Sequence, residues 1–316
     1  MLKPQDLSGC ITALITPMCE RAGAVVVDFD GLVSLTRAQV DAGVSGILFA
    51  ATTGQSACLS GEEKIAVIAV GVQAARQRAE ELGRGVRVLA AAGSNSTGEA
   101  IRCSQEILDT TEVDALLHVT GYYNNPPQEG LQRHFTAVAD ACARWETPVV
   151  LYNVPSRTAS DLAAETTIAL AGHPSIVAIK EASGDLDKVQ AILDGTDREQ
   201  FAVVSGEDHL VAEIVKRGGV GVISASANVW PAEFERVARL ALAGRHEQAA
   251  ELQQALLPCI EAVFSAKNPI PLAAMQNTRL RLPLVDIQDL EPTAREKAEQ
   301  AIAAAMAIES FPQMDD

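Results

Sequence analysis

Lys180 stands at the end of a short apolar run, Ile176, Val177, Ala178 and Ile179, with Glu181 directly behind it. An unbroken apolar run of this length suits a parallel strand covered on both faces. A lysine held in a dry pocket gives up its proton readily, because desolvation disfavours the charged form. The neutral amine that results is the nucleophile that Schiff-base formation with a carbonyl compound requires. Taken alone, the same residue is also read as a strand-end lysine whose stem lies on apolar surface and whose head reaches water. Other residues able to do chemistry must therefore converge on it.

Apolar runs that fit strands cover residues 10–15, 46–50, 86–92, 115–120, 148–152, 176–180, 201–205 and 220–224. Helical spacing or start signals follow each of the first seven: residues 28–42 with Asp28 as N-cap, Ser60-x-x-Glu63, Ser96-x-x-Glu99, residues 129–144, residues 162–171, and segments opening at Asp185 and Glu207. Pro231 opens a further helix after the eighth strand. Eight alternating units without a hydrophilic linker predict an α/β fold, a closed (β/α)8 TIM barrel over residues 1–230. Residues 231–316, rich in Ala, Leu, Glu and Gln, read as a C-terminal helical extension packed on the barrel.

Barrel enzymes gather their chemistry at the C-terminal ends of the strands. Those ends supply Thr52, Thr53 and Gly54 after the second strand and Tyr122 and Tyr123 after the fourth. Tyr152 lies on the fifth strand, Lys180 on the sixth, and Gly206 follows the seventh. Two threonines before a glycine offer hydroxyls and backbone N–H groups to a carboxylate. A tyrosine can shuttle protons between amine, carbinolamine and water, and Arg157 can hold a second carboxylate bidentately. Each has a plainer reading: turn residues for the threonines, a core tyrosine with a satisfied hydroxyl, a surface charge for Arg157. Their conjunction at the ends of several strands is what points to a site.

Composition narrows the partners. The 316 residues are 48% hydrophobic and carry 41 Asp plus Glu against 25 Lys plus Arg, a net charge of -16. Such a surface disfavours nucleic acid and anionic membranes. Six scattered cysteines without a CxxC pair, and no apolar signal or membrane-length stretch, predict a reduced, cytoplasmic protein. No phosphate loop, nucleophile elbow or dinucleotide fingerprint occurs, and the five histidines show no metal spacing. No metal and no organic cofactor is expected.

The motifs "TTGQS" (52–56), "YYNNPPQEG" (122–130), "YNVPSRT" (152–158), "IKEASGD" (179–185), "SGEDHL" (205–210) and "GGVGVIS" (218–224) resemble those of the dihydrodipicolinate synthase (4-hydroxy-tetrahydrodipicolinate synthase) family. This family belongs to the N-acetylneuraminate lyase superfamily of Schiff-base aldolases. "NPIP" (268–271) and "LRLPL" (280–284) extend the likeness into the tail. The resemblance implies an imine between Lys180 and pyruvate, and a proton relay of Tyr152, Thr52 and Tyr123, the last donated across a subunit interface. It implies that Thr53 holds the pyruvate carboxylate, that Arg157 holds the carboxylate of the aldehyde partner, L-aspartate 4-semialdehyde, and that backbone at Gly206 and Ile223 lines the pyruvate pocket. It further implies small-molecule substrates, a homotetramer built as a dimer of dimers, and an interface site where Ser56, Ala57, Asn95, Glu99 and Tyr122 match positions that grip the feedback inhibitor lysine.

Three departures stand out: Ala51 and Gln55 replace a glycine and a glutamate around the threonines, and Gly121 replaces a proline. Two other readings keep their place. One is a pyruvate-dependent aldolase or dehydratase acting on a sugar acid or hydroxy-oxo acid; the other is a barrel that binds an oxo acid without catalysis.

Overall fold

The computed structural model describes residues 2–312. Eight parallel strands close into a barrel in the order β1-β10-β9-β8-β7-β6-β5-β4. They are β1 (Gly9–Ala13), β4 (Gly46–Phe49), β5 (Arg87–Ala91), β6 (Ala115–Val119), β7 (Val149–Asn153), β8 (Ile176–Glu181), β9 (Ala202–Ser205) and β10 (Gly221–Ser224). The two remaining strands, β2 (Met18–Arg21) and β3 (Ala24–Val27), form a separate antiparallel hairpin between β1 and the first helix.

All eight barrel strands fall on the expected apolar runs, and the expected (β/α)8 fold is what forms. The hairpin was not expected. Its turn places both Ala22 (φ 50°) and Gly23 (φ 79°) in the left-handed region. A two-residue hairpin turn of this kind usually announces itself with Asn or Asp before the glycine, and alanine gives no such signal.

Within each strand the side chains alternate between two environments, as the two-residue period requires. Leu48, Leu89, Leu117, Val150 and Ala178 pack inside the barrel. Ile47, Phe49, Val88, Leu151 and Ile179 pack outward against the helices. The same parity that sends Ala178 inward sends Lys180 inward two residues later.

The helices are α1 (Phe29–Asp41), α2 (Gly61–Glu81), α3 (Thr97–Thr110), α4 (Gln128–Cys142), a short α5 (Pro155–Thr158), α6 (Ala164–Ala171), α7 (Leu186–Gly195), α8 (Val211–Arg217), α9 (Pro231–Leu242), α10 (His246–Ala255), α11 (Leu257–Val263), α12 (Ile270–Met275) and α13 (Pro292–Met306). Caps set several starts. Asp28 accepts from Gly31 N at 3.1 Å. The Ser60–Glu63 box is reciprocal, with Glu63 N donating to Ser60 Oγ at 3.1 Å and Ser60 N to Glu63 Oε2 at 2.9 Å. The Ser96–Glu99 box forms only half. Glu99 N reaches Ser96 Oγ at 3.5 Å, but the Glu99 carboxylate turns instead to Arg102. A guanidinium one turn on offers a charge-assisted pair that a backbone N–H does not match.

The helices past residue 230 do not separate from the barrel. Helix α9 packs on β1, where its Glu235 carboxylate accepts from Cys10 N at 2.8 Å and Ser45 N at 3.1 Å, so it takes the place of the barrel's eighth helix. Later helices cover the mouth at the C-terminal strand ends. Among the described residues, no helix is long and apolar enough to cross a membrane.

Candidate active site

A cavity of about 950 Å³ opens at the C-terminal ends of the strands. It brings Thr52, Thr53, Tyr152, Arg157, Lys180, Gly206 and Ile223 together, seven of the residues singled out in the sequence. The floor is built by register. Tyr152 of β7 stands opposite Lys180 of β8, and Lys180 stands opposite Val204 of β9.

Lys180 is 7% exposed, and its Nζ lies 4.5 Å from the centroid of the Tyr152 ring. Burial pulls its pKa down to about 8; the negative field of Asp208 and Glu207 opposes that shift, and Arg157 adds to it. Burial likewise pushes the Tyr152 phenol up to about 12, against the opposing pull of Arg157 and the Thr52 hydroxyl. The pair therefore combines an amine easily made neutral with a phenol that keeps its proton at neutral pH. That combination suits imine chemistry, in which the amine attacks and the phenol passes protons to and from the oxygen.

Behind Lys180, Glu181 is buried and accepts from Asn153 Nδ2 and, at 2.7 Å, from Ser183 N. These bonds hold the end of β8 against the end of β7. Gly206 N donates to Glu181 O at 2.7 Å, and a Cβ on Gly206 would lie 2.5 Å from that of Ala182. Only glycine lets the backbone after β9 approach this closely.

The threonine turn leaves β4 through Ala50 in the left-handed region (φ 53°) and closes with Gln55 N donating to Thr52 O at 3.1 Å. Gln55, also left-handed at φ 56°, explains one departure from the family motif. Its buried amide donates to Thr16 O at 3.4 Å and Arg279 O at 3.5 Å while accepting from Arg281 N at 3.0 Å. A carboxylate could accept here but not donate. Gln55 thus ties the turn to the tail segment that carries Arg281, whose guanidinium pairs with Glu63 at 2.7 Å.

Gly121 has a packing reason too. A Cβ there would meet Pro126 Cγ at 2.9 Å and Asn95 Oδ1 at 3.3 Å. The glycine and Pro126 are therefore matched to each other.

Asn268 and Glu207 also line the cavity, and neither carried a role in the sequence. Asn268, from the tail, is buried and donates from Nδ2 to Thr53 Oγ1 at 3.1 Å. Its carbonyl accepts from Arg157 Nη2 at 3.4 Å, so one residue touches both Thr53 and Arg157. The "NPIP" motif was its only signal. Glu207 lines the cavity beside Gly206, where the strand-end rule could have found it.

Tyr123 does not join this cavity. It is 94% exposed and sits at φ 74°, a conformation that costs energy for an aromatic residue. Next to it, Tyr122 N donates to Asn95 Oδ1 at 2.9 Å. Glu99 is held by Arg102 at 2.6 Å and also feels the charge of Lys64, while Ser56 and Ala57 form the short turn after Gln55. Among the described residues, no three His, Cys, Asp or Glu side chains are grouped to hold a metal ion.

Comparison with known proteins gives a consistent result. A model of the dihydrodipicolinate synthetase family matches residues 6–305. The 4-hydroxy-tetrahydrodipicolinate synthase of Methanosarcina barkeri (strain Fusaro / DSM 804) is 39% identical over 287 residues, which cover 89% of this chain and 93% of that one. The structure of the chloride-inhibited dihydrodipicolinate synthase from Acinetobacter baumannii complexed with pyruvate is 36% identical, with a TM-score of 0.85 over 96% of this chain and 100% of that one. The enzyme from Cyanidioschyzon merolae with lysine bound is 35% identical, with a TM-score of 0.84 over 96% and 99% of the two chains.

Proposed function

The chain belongs to the dihydrodipicolinate synthetase family and condenses pyruvate with L-aspartate 4-semialdehyde to 4-hydroxy-tetrahydrodipicolinate; we propose that it does so through an imine on Lys180. The observation that carries this reading is the buried Lys180–Tyr152 pair at the end of a cavity that also holds Thr53 and Arg157.

The neutral Lys180 amine attacks the keto carbon of pyruvate and gives a carbinolamine, whose oxygen leaves as water after taking up a proton. Tyr152 supplies and recovers that proton, and the Thr52 hydroxyl beside it carries it onward. The protonated imine then draws electrons from the methyl carbon, which loses a proton to become the nucleophilic end of an enamine. That carbon attacks the aldehyde carbon, forming the new C–C bond as the aldehyde oxygen takes up a proton. Attack by the aldehyde partner's own amine on the imine carbon closes the ring and frees Lys180. Thr53 and backbone N–H groups beside it hold the pyruvate carboxylate, Gly206 and Ile223 wall the pocket, and Arg157 receives the carboxylate of the aldehyde.

Tyr123 completes the relay in a neighbouring subunit, within a homotetramer of paired dimers. Its near-complete exposure and left-handed backbone support this reading, since strain of that kind persists where it serves contact or chemistry. A cytoplasmic location is supported by six cysteines that are all unpaired.

Borohydride reduction in the presence of pyruvate tests the mechanism. One reduced pyruvyl group is expected on the peptide containing Lys180 and none after Lys180→Ala; labelling elsewhere overturns it. Turnover with a panel of aldehydes tests the second substrate. Cleavage of a sugar acid or hydroxy-oxo acid without use of aspartate semialdehyde would move the enzyme to a neighbouring activity.

A further inference from the structure

L-Aspartate 4-semialdehyde carries an ammonium on the carbon next to its carboxylate. Lys180 is taken up in the pyruvate imine and Arg157 is itself a cation, so neither can hold that group. Glu207 follows Gly206 directly and lines the same cavity as both of them. Its backbone is pinned by Ser205, whose Oγ donates to Glu207 O at 2.8 Å and accepts from Glu207 N at 3.2 Å. Its carboxylate is half-buried, and His209 Nδ1, at 3.6 Å from Oε2, is its only side-chain partner within ion-pair distance among the described residues. The other acids nearby do not compete. Asp208 is buried and does not line the cavity, one of its oxygens accepting from Ser226 N at 2.8 Å, and Glu261 on α11 lines it from an exposed position.

We infer that Glu207 binds the α-ammonium of the aldehyde substrate and so selects amino-acid aldehydes over those lacking the amine, an assignment that rests on reading this cavity as the site of pyruvate and aldehyde. A carboxylate in a partly dry cavity is costly while it stands without a close cation, and here burial already raises the Glu207 pKa. An arriving ammonium relieves that cost and gains a charge-assisted hydrogen bond. A des-amino aldehyde leaves it in place, and a site built for a polar group rejects the analogue without it by far more than one lost contact suggests.

The test compares kcat/KM for L-aspartate 4-semialdehyde and for succinic semialdehyde, its des-amino counterpart, at saturating pyruvate. The wild type should favour the amine-bearing substrate, and Glu207→Gln should shrink that ratio at least tenfold. Glu207→Asp, which keeps the charge, should retain most of it and serves if the glutamine variant does not fold. A ratio unchanged while both values fall would assign Glu207 to Lys180 rather than to the substrate and overturn the inference. So would a wild type with no preference for the amine. Absence of any borohydride-trapped pyruvate in the wild type would instead overturn the function on which the inference stands.

Discussion

Tyr152 and Lys180 face each other across β7 and β8, with the Lys180 ammonium nitrogen 4.5 Å from the centre of the Tyr152 ring. Two effects of opposite sign meet there. The face of an aromatic ring favours a cation, whereas burial disfavours it. Burial pulls the amine down to about 8 from its usual 10.5, against the opposing field of Asp208 and Glu207.

That balance predicts a pH profile. Below about 8 most Lys180 is protonated and cannot attack, so the rate of imine formation should climb with pH and level off above this value. Tyr152, held near 12, should add no break at neutral pH. Trapping rates with pyruvate across this range check it, and an inflection near 10 would show an ordinary solvated lysine. Lys180→Arg should give no adduct, since a guanidinium stays charged.

Arg157→Ala should leave the pyruvate adduct in place and weaken use of the aldehyde. Loss of a hydrogen bond to a charged group costs about 1.5–3 kcal/mol, or roughly ten- to hundredfold in kcat/KM for that substrate. Steady-state kinetics with each substrate varied in turn distinguish the two. Loss of the adduct with unchanged aldehyde affinity would show the assignment to be wrong.

Tyr123→Phe should slow turnover severalfold with little effect on folding, because its side chain is almost wholly exposed within one chain. Activity measured against protein concentration, alongside sedimentation, should show that the dimer is the smallest active unit. A fully active monomer would refute the donated tyrosine.

Lysine should inhibit weakly or not at all. The Glu99 carboxylate, which would grip the ligand's ammonium, is already taken by Arg102 at 2.6 Å and lies in the field of Lys64. Gly61, the first residue of α2, has no side chain where the resemblance to lysine-sensitive enzymes implies a histidine or an aromatic residue for the ligand's stem to pack on. Titration of activity with lysine decides it, and half-inhibition below the millimolar range would show a working site.

Gln55→Glu should destabilise the fold despite restoring the usual family residue. The carboxylate would face Thr16 O and Arg279 O without a proton to donate, at a cost of about 1–3 kcal/mol. A lower urea midpoint with an unchanged slope is the expected signature. An unchanged midpoint would mean that the tail finds another anchor.

Much of this architecture is written locally in the chain. A strand buried on both faces must be an apolar run, and a capped helix must carry its cap, so the alternation over residues 10–224 declares the barrel unit by unit. The barrel rule then places Lys180, Tyr152, Thr52, Thr53 and Arg157 at one mouth before any contact is seen. What the chain does not declare depends on distance and on competition. Asn268 meets Thr53 across 215 residues, and nothing near either one announces the other. Glu99 has a cap to complete and a guanidinium to pair with, and only the packed helix shows that Arg102 prevails. Gln55 looks like a lapse from a motif until the tail folds back and fills both ends of its amide. Local sequence sets which residues can form a strand, a cap or a nucleophile, because those preferences act over a few residues. Which polar groups become partners is settled only by the closed fold, where each buried donor takes the acceptor within its reach.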